Sequence, residues 1–396
     1  MAHRRALAVI IVIGCIAAWH AVTAAPDRLI LLDAARIERV RARSLEPDVK
    51  AAIAAIEDEA KKALAIQPVS VMDKTIVPPS GDKHDYMSQA PYWWPDPAKA
   101  DGRPYVRRDG ERNPEINRLP DHDNLGRICS AVSTLGLAYA LQKKPEYAQH
   151  AARLTRVWFL DAATRMNPHL KYGQGIPGIN DGRGIGIIET RGLPDLVDGI
   201  VLISESGAWT KADEAGLQAW LRAYLDWLLT STHGKEEAAN GNNHETWYDV
   251  QAASLALYTG QRGVARKILE GARGRIDRQF EPDGRQPREL ERTRSFDYSE
   301  FNLTAFFNLA VIGERVGVDL WNYSSADGRS LRRGLDFMVP FAAGEKKWDF
   351  DQITPFRGST ISNILRRGAA AWKEPTYRAL AEKLGGGSTR VRLLYE

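Results

Sequence analysis

Apolar side chains recur every three to four residues along most of this chain, which is the spacing of an amphipathic α-helix. No segment shows the strict alternation of a half-buried strand. Residues 28–65 and residues 124–160 each predict a pair of helices. The chain should therefore contain about ten or more helices. The segments cover residues 28–65, 124–160, 193–204, 211–230, 244–259, 264–280, 295–316, 330–341 and 359–383.

Two long stretches separate these helices and show no helical period. Residues 67–120 contain nine of the twenty prolines together with several tyrosines and tryptophans, an aromatic content that argues against disorder. Residues 172–186 are rich in glycine. Paired helices without a repeat of fixed length, joined by alternating short and long loops, predict an all-α fold, an α/α toroid whose long loops build a site.

The N-terminus has the pattern of an export signal. Arg4 and Arg5 precede an apolar run over residues 6–18, and Val22-Thr-Ala24 is a small-residue cleavage site. We expect cleavage after Ala24, which leaves residues 25–396 as one toroid domain in the periplasm or outside the cell. An alternative interpretation is a lipoprotein anchored at Cys15.

The remaining composition excludes several classes of protein. Removing the two arginines of the signal lowers the formal net charge from +4 to +2 (4 − 2), and no cluster of Lys or Arg indicates a nucleic-acid site. Cys129 stays as the single cysteine after processing, so no intramolecular disulfide is expected. The apolar run of the signal is too short for a membrane span, and we expect no stable membrane contact.

An amide and an imidazole stand side by side where the helix near residue 244 begins. Asn242 or Asn243 is a suitable N-cap, which puts His244 in the first turn. The start of a helix offers unpaired N–H groups and the positive end of the helix dipole, so a carboxylate could bind there. A purely structural role, with an asparagine capping the helix, remains open from this segment alone.

A tyrosine and an arginine occur together at the start of another helix. Tyr298 lies in the predicted first turn and Arg292 in the incoming loop. A guanidinium nearby favours the phenolate and lowers the pKa of tyrosine, which would make Tyr298 a candidate base. A core position for Tyr298 is the alternative.

Motifs for metal and serine chemistry are missing from the sequence. His244-Glu245 lacks the second histidine of H-E-x-x-H, because Tyr248 stands in its place. No G-x-S-x-G motif occurs. We therefore expect neither a metal ion nor another cofactor.

Several motifs follow one another in a characteristic order over roughly residues 81–316. They are Pro79-Ser-Gly-Asp-Lys-His84-Asp-Tyr86, Ala90-Pro-Tyr-Trp93-Trp94-Pro-Asp-Pro97, a glycine-rich loop with Gln174 and Arg183, Asn242-Asn243-His244, and Arg292 followed by Tyr298. This ordered set resembles the alginate lyase superfamily. It is more similar to the exported lyases with the Tyr-Trp-Trp-Pro-Asp-Pro motif, polysaccharide lyase family thirty-eight, than to family five.

The resemblance implies an α/α toroid that cleaves a polyuronate, either mannuronan (alginate) or glucuronan, by β-elimination without a metal. It implies that Asn243, His244 and Arg292 neutralise the uronate carboxylate, while Tyr298 takes the C5 proton and returns a proton to O4. For guluronate, His244 would act as the base and Tyr298 as the acid.

The resemblance also implies a set of substrate-binding residues. Gln174 and Arg183 match positions that bind sugar carboxylates, and an aromatic lid or stacking platform is expected over the chain. For Trp93 and Trp94, anchoring of the loop is the alternative. The implied substrate-binding residues are His84, Tyr86, Trp93, Trp94, Gln174, Arg183 and Asn242.

Two other functions remain open from the sequence. A glycoside hydrolase on the same toroid would use two carboxylates, and a non-catalytic polyuronate-binding protein would use the cleft without turnover. The candidate carboxylates of the hydrolase are Asp85, Asp181, Glu189 and Asp297.

The export signal gives a first prediction. Mass spectrometry of the protein isolated from the periplasm should find a chain that begins at Ala25, because signal peptidases cut after small residues. An intact Met1 or a lipid on Cys15 would contradict this prediction.

Overall fold

The structure is a computed structural model that describes residues 28–395. The signal peptide and Cys15 lie outside these residues, so their processing stays a prediction. Within them no helix is long and apolar enough to cross a membrane. The α-helices are α1 (Ala34–Ala42), α2 (Pro47–Leu64), α3 (Asp121–Gln142), α4 (Pro145–Phe159), α5 (Leu193–Ile203), α6 (Lys211–Thr230), α7 (Thr232–Glu237), α8 (Asn243–Tyr258), α9 (Arg262–Gln279), α10 (Pro287–Leu290), α11 (Ser295–Val316), α12 (Leu331–Ala342), α13 (Ser362–Trp372), α14 (Pro375–Leu384) and α15 (Thr389–Tyr395).

These helices confirm the predicted all-α class and the α/α toroid. They pack in pairs that are close in sequence, among them α3 with α4 and α5, α8 with α9, and α13 with α14. The core between them consists mainly of buried Leu, Ile, Val, Ala and aromatic side chains. The helices thus bury their apolar sides against one another, as the hydrophobic period predicts.

Three details differ from the sequence prediction. Residues 28–33 are not helical, because the backbone N–H groups of Ile30, Leu31 and Leu32 donate to the carboxylate of Asp198 at 2.6 to 2.9 Å. The helix predicted over 359–383 is divided by Lys373, which adopts a left-handed conformation with φ of 53°. The short helices α7, α10 and α15 have too few residues to show a hydrophobic period.

The two long loops are joined by a short sheet that the sequence does not predict. Strand β1 (Met87–Gln89) pairs in parallel with β4 (Tyr172–Gly175). A second ribbon inside the first loop pairs β2 (Trp93–Trp94) with β3 (Val106–Arg107) in antiparallel register. Strands of two to four residues leave no alternating pattern, so their pairing depends on the surrounding fold.

A buried ion pair fastens the first loop to the helical scaffold. Lys74 Nζ lies 3.0 Å from a carboxylate oxygen of Asp121 at the start of α3, and both side chains are fully buried. Burial raises the pKa of Asp121 to about 6, although the charge of Lys74 opposes this shift. Lys74 also donates to the carbonyl oxygens of Val71 and Lys83 at 2.6 and 2.7 Å. Its ammonium group therefore holds two parts of the loop in place.

Helices α3 and α5 approach closely enough that only glycine fits between them. A Cβ atom on Gly136 would lie 2.5 Å from the Cα and carbonyl oxygen of Gly199. A Cβ atom on Gly199 would in turn lie 2.5 Å from the carbonyl oxygen of Val132. The contact involves backbone on both sides, so neither helix can yield by moving a side chain.

This contact predicts opposite effects for two glycines of α3. Gly136→Ala should lower the free energy of unfolding by about 1–3 kcal/mol, because the helices must move apart. Gly126→Ala should raise it by about 0.5–1 kcal/mol, because its Cβ meets no atom within 4 Å and alanine favours the helix. Urea denaturation of both variants measures the difference, and equal effects would contradict the close approach.

Candidate active site

A cleft of about 1150 Å³ lies where the two long loops meet the first turns of α8 and α11. The four residues predicted as catalytic all line it: Asn243, His244, Arg292 and Tyr298. Four of the predicted substrate-binding residues also line it: Trp93, Gln174, Arg183 and Asn242. The structure thus brings together residues that are separated by up to about 200 positions in the chain.

The two asparagines at the start of α8 have different partners. Asn242 is the N-cap, and its Oδ1 accepts a hydrogen bond from the backbone N–H of His244 at 3.1 Å. Asn243 is fully buried, and its backbone N–H and Nδ2 donate to the two carboxylate oxygens of Glu289 at 2.7 and 2.8 Å. Burial raises the pKa of Glu289, and the hydrogen bonds from Asn243 oppose the rise. Glu289 therefore determines the orientation of the Asn243 amide.

A buried carboxylate also orients His244. The Nδ1 atom of His244 lies 2.8 Å from Oε1 of Glu237, whose side chain has no exposed surface. Glu237 accepts a second hydrogen bond from Nδ2 of Asn240 at 2.8 Å. With Nδ1–H donating to Glu237, Nε2 is the nitrogen that remains for a bound ligand.

Tyr298 contacts both an arginine and a second tyrosine. Its hydroxyl lies 2.8 Å from the hydroxyl of Tyr92, and the guanidinium carbon of Arg292 lies 3.7 Å from the centre of its ring. Burial raises the pKa of Tyr298 well above 10, and the charge of Arg292 only partly opposes this rise. The expected lowering of the pKa by an arginine is thus outweighed by desolvation, so the prediction of a lowered pKa is wrong.

Arg292 is held by Asp109 of the first long loop. Its Nε and Nη2 donate to the two carboxylate oxygens of Asp109 at 3.0 and 2.8 Å, which is a bidentate ion pair. The backbone N–H of Thr293 donates to the same carboxylate, and the Thr293 hydroxyl donates to the Asp109 carbonyl oxygen at 2.9 Å. Burial alone would raise the pKa of Asp109, but the hydrogen bonds and charge of Arg292 hold it at about 2.

Gln174 and Arg183 form one unit in the glycine-rich loop. Nη2 of Arg183 donates to Oε1 of Gln174 at 2.8 Å, and Nε donates to the Gln174 carbonyl oxygen at 3.2 Å. Burial lowers the pKa of Arg183 to about 10. The backbone N–H of Gln174 donates to the hydroxyl of Ser88, which connects this unit to strand β1.

The predicted aromatic platform is only partly present. Trp93 lines the cleft, whereas Trp94, His84 and Tyr86 lie outside its lining. The indole of Trp94 donates to the Glu111 carbonyl oxygen, and Nδ1 of His84 donates to the Arg165 carbonyl oxygen, so both side chains anchor loops.

Tyr86 has a structural position and cannot stack on a sugar. It has no exposed surface, and its hydroxyl donates to Oε2 of Glu189 at 2.7 Å. The hydroxyl of Ser88 donates to the same oxygen at 2.6 Å. The interpretation of Tyr86 as part of a sugar-stacking platform is therefore wrong.

The sequence did not reveal the residues that support the predicted ones. Tyr92 lies inside a quoted motif, but its contact with Tyr298 joins positions 206 residues apart. Asp109 and Glu289 are likewise 183 and 46 residues from the side chains they hold. Glu237 is only 7 residues from His244. The nearness of an acid to a histidine was the one sign in the sequence of such a supporting residue.

The part of the chain within residues 28–395 contains no group of three or more His, Cys, Asp or Glu side chains that could hold a metal ion. The donors that line the cleft are mostly guanidinium and amide groups, which bind anions.

Comparisons with known proteins give consistent similarities. A family model for alginate lyase matches residues 70–348. The crystal structure of an alginate lyase from Bacteroides ovatus is 39% identical, covers 93% of this chain and 99% of its own, and has a TM-score of 0.89. A search of curated protein sequences finds no match.

Two structures of a more distant lyase share the fold. Alginate lyase A1-III from Sphingomonas species A1 is 16% identical, covers 86% of this chain and 94% of its own, and has a TM-score of 0.53. A variant of alginate lyase A1-III complexed with a tetrasaccharide is 15% identical, covers 94% of this chain and 98% of its own, and has a TM-score of 0.57.

The ion pair of Asp109 predicts a dependence of stability on pH. The pKa of Asp109 in the folded protein, about 2, lies below its ordinary value of 3.8. The ionised carboxylate therefore stabilises the fold above about pH 4, and this contribution is lost as the pH falls towards 2. Asp109→Asn should lower the free energy of unfolding at pH 7 by about 1–2 kcal/mol, allowing for solvent screening, and by less at pH 3.

Denaturant unfolding at both pH values measures this effect. Glu270→Gln is the matched control, because Glu270 forms an exposed ion pair with Arg266 on α9 and should change stability by less than about 0.5 kcal/mol. A loss in Asp109→Asn that is the same at pH 7 and pH 3 would contradict the role of the ionised carboxylate.

Proposed function

This chain belongs to the alginate lyase family and is a polysaccharide lyase acting on an acidic polysaccharide, and we propose that it cleaves mannuronate- or glucuronate-containing chains by metal-independent β-elimination. One observation carries this proposal. Tyr298, stacked against Arg292, lines the same cleft as Asn243 and His244. A potential proton carrier and three potential carboxylate ligands therefore face one space.

The three ligands are prepared to neutralise a uronate carboxylate. Arg292 uses two of its five N–H groups on Asp109, which leaves three for a substrate. Asn243 uses one Nδ2 hydrogen on Glu289 and keeps the other, and His244 keeps Nε2, which donates to a carboxylate when the ring is protonated. Because Asp109, Glu289 and Glu237 already hold these three side chains, they need little rearrangement when charge develops on the carboxylate.

The proton transfers follow from the chemistry of the uronate. In its phenolate form, Tyr298 takes the proton from C5 and becomes the neutral phenol, and the electron pair moves towards the carboxylate, where the three ligands stabilise it. The C4–O4 bond then breaks, a C4=C5 double bond forms, and Tyr298 returns a proton to the leaving O4. In mannuronate and glucuronate the C5 hydrogen and O4 lie on the same side of the ring, so one hydroxyl can serve both steps.

The geometry gives less support to a glycoside hydrolase. Of the four candidate carboxylates, only Glu189 and Asp297 line the cleft. Glu189 accepts from Tyr86 and Ser88, and Asp297 pairs with Arg294 at 2.8 Å. Asp85 is buried outside the cleft, where it accepts from Ser80 and Asn167.

We extend the proposal to the place of action. The charged, apolar and small-residue pattern of residues 1–24 supports export to the periplasm or beyond.

The central test is the variant Tyr298→Phe. It should abolish elimination on polymannuronate and glucuronan while binding is kept, because only one hydroxyl is removed.

His244→Ala should lower the rate about 10²–10³-fold, as for the loss of one oxyanion donor. Ultraviolet absorption of the unsaturated uronate end measures both rates, and polyguluronate serves as the third substrate.

The pH profile and a chelator complete this test. With Tyr298 as base, the wild-type rate should rise towards alkaline pH, because burial raises the tyrosine pKa. A rise centred near pH 6.5 would instead identify histidine as the base. The rate should persist in EDTA. A Tyr298→Phe variant that keeps more than about a tenth of the wild-type rate would refute the role of Tyr298.

A further inference from the structure

The arginines that line the cleft differ in whether an acid neutralises them. Arg107 and Arg292 pair with Asp109, Arg112 pairs with Asp123, and Arg294 pairs with Asp297. Arg288 is exposed to solvent and donates to a backbone carbonyl. Within residues 28–395, the two partly buried arginines of the cleft that form no ion pair are Arg183 and Arg191.

Arg191 is the less satisfied of the two. Its Nη1 donates to the carbonyl oxygen of Ile188 at 3.2 Å, and four of its five N–H groups have no partner among the described residues. Its guanidinium carbon lies 5.8 Å from the centre of the Phe301 ring, at the edge of cation–π distance. The charge of Glu189 acts on Arg191, but Glu189 accepts hydrogen bonds from Tyr86 and Ser88 and forms no ion pair with Arg191. The remaining N–H groups of Arg191 can therefore bind an anion from outside the chain.

Arg191 lines both the main cleft and a second cavity. This cavity has a volume of about 590 Å³, and it shares His122, Asp123, Glu189 and Arg191 with the main cleft. Ser130 and Thr134, whose side chains can hydrogen-bond to sugars, line it together with the charged residues Arg127, Asp195 and Arg390. The two cavities adjoin at these four shared residues.

We propose that Arg191 binds the carboxylate of a second uronate unit, distinct from the unit that loses its C5 proton. The polysaccharide then extends from the catalytic residues into the second cavity. This inference rests on the proposed function, because it takes the ligand to be a polyuronate. Arg191 is a substrate-binding residue in this arrangement and takes no part in the proton transfers.

The experiment measures how affinity depends on chain length. Oligomannuronates of two to eight units are titrated calorimetrically into Tyr298→Phe and into Tyr298→Phe with Arg191→Gln. In the first protein the affinity should rise in a step at the length that reaches Arg191. In the second protein that step should vanish, a loss of roughly 10- to 100-fold for long oligomers, while shorter oligomers bind equally well.

Steady-state kinetics in the otherwise unmodified enzyme give a second measurement. Arg191→Gln should raise KM for polymannuronate about tenfold and change kcat by less than about twofold, because uniform binding is removed and the chemical step is not. Arg191→Lys should give an intermediate KM, since it keeps the charge but loses the planar fork. Arg222→Gln is the matched control, because Arg222 also donates to a single backbone carbonyl but lines neither cavity.

The outcomes separate this inference from the proposed function. A wild-type enzyme without lyase activity contradicts the proposed function. An active enzyme in which Arg191→Gln keeps the affinity step, or weakens all lengths equally, contradicts only the second carboxylate site. If Arg191→Gln lowers the melting temperature, the affinity of the Arg191→Lys variant is measured against oligomer length. A weakened step at the same length supports the binding role, and an equal weakening at all lengths supports a folding role only.

Discussion

The ion pair between Arg292 and Asp109 is the interaction on which the cleft depends. It connects the loop before α11 to the long loop that carries Tyr92 and Trp93, across 183 positions of sequence. The guanidinium carbon of the same arginine lies 3.7 Å from the centre of the Tyr298 ring. The same long loop carries Tyr92, whose hydroxyl lies 2.8 Å from that of Tyr298. Three N–H groups of Arg292 remain outside the ion pair.

Buried acids perform a similar task at the start of α8. Glu289 holds the amide of Asn243, and Glu237 holds the imidazole of His244. Asn243 and His244 line the cleft, whereas neither acid does. Such preorganised donors suit a reaction that develops negative charge, because the protein need not reorganise during the reaction. Arg183 and Arg191 also line the cleft and form no ion pair within the described residues, although the charge of Glu189 acts on both.

Much of the site could be predicted from the sequence, but its electrostatics could not. Asn243, His244, Arg292 and Tyr298 lie in short motifs, and all four line the cleft. The predicted direction of the Tyr298 pKa shift is wrong, because nearness to an arginine in the sequence gives no information about desolvation. Tyr86 belongs to a motif too, yet its ring is buried and supports Glu189. A motif therefore marks a residue as part of the site without showing whether its side chain lines the cleft or is buried behind it.

The sequence by itself determined the helices and the residue types of the site. A helix is stabilised by contacts three and four positions apart, so α6 and α11 could be read with their boundaries from the hydrophobic period. Only the tertiary structure decided the pairing of β1 with β4, the close approach of Gly136 to Gly199, and the acids that orient each donor. These contacts join distant positions, and their energies depend on burial, which no local pattern encodes.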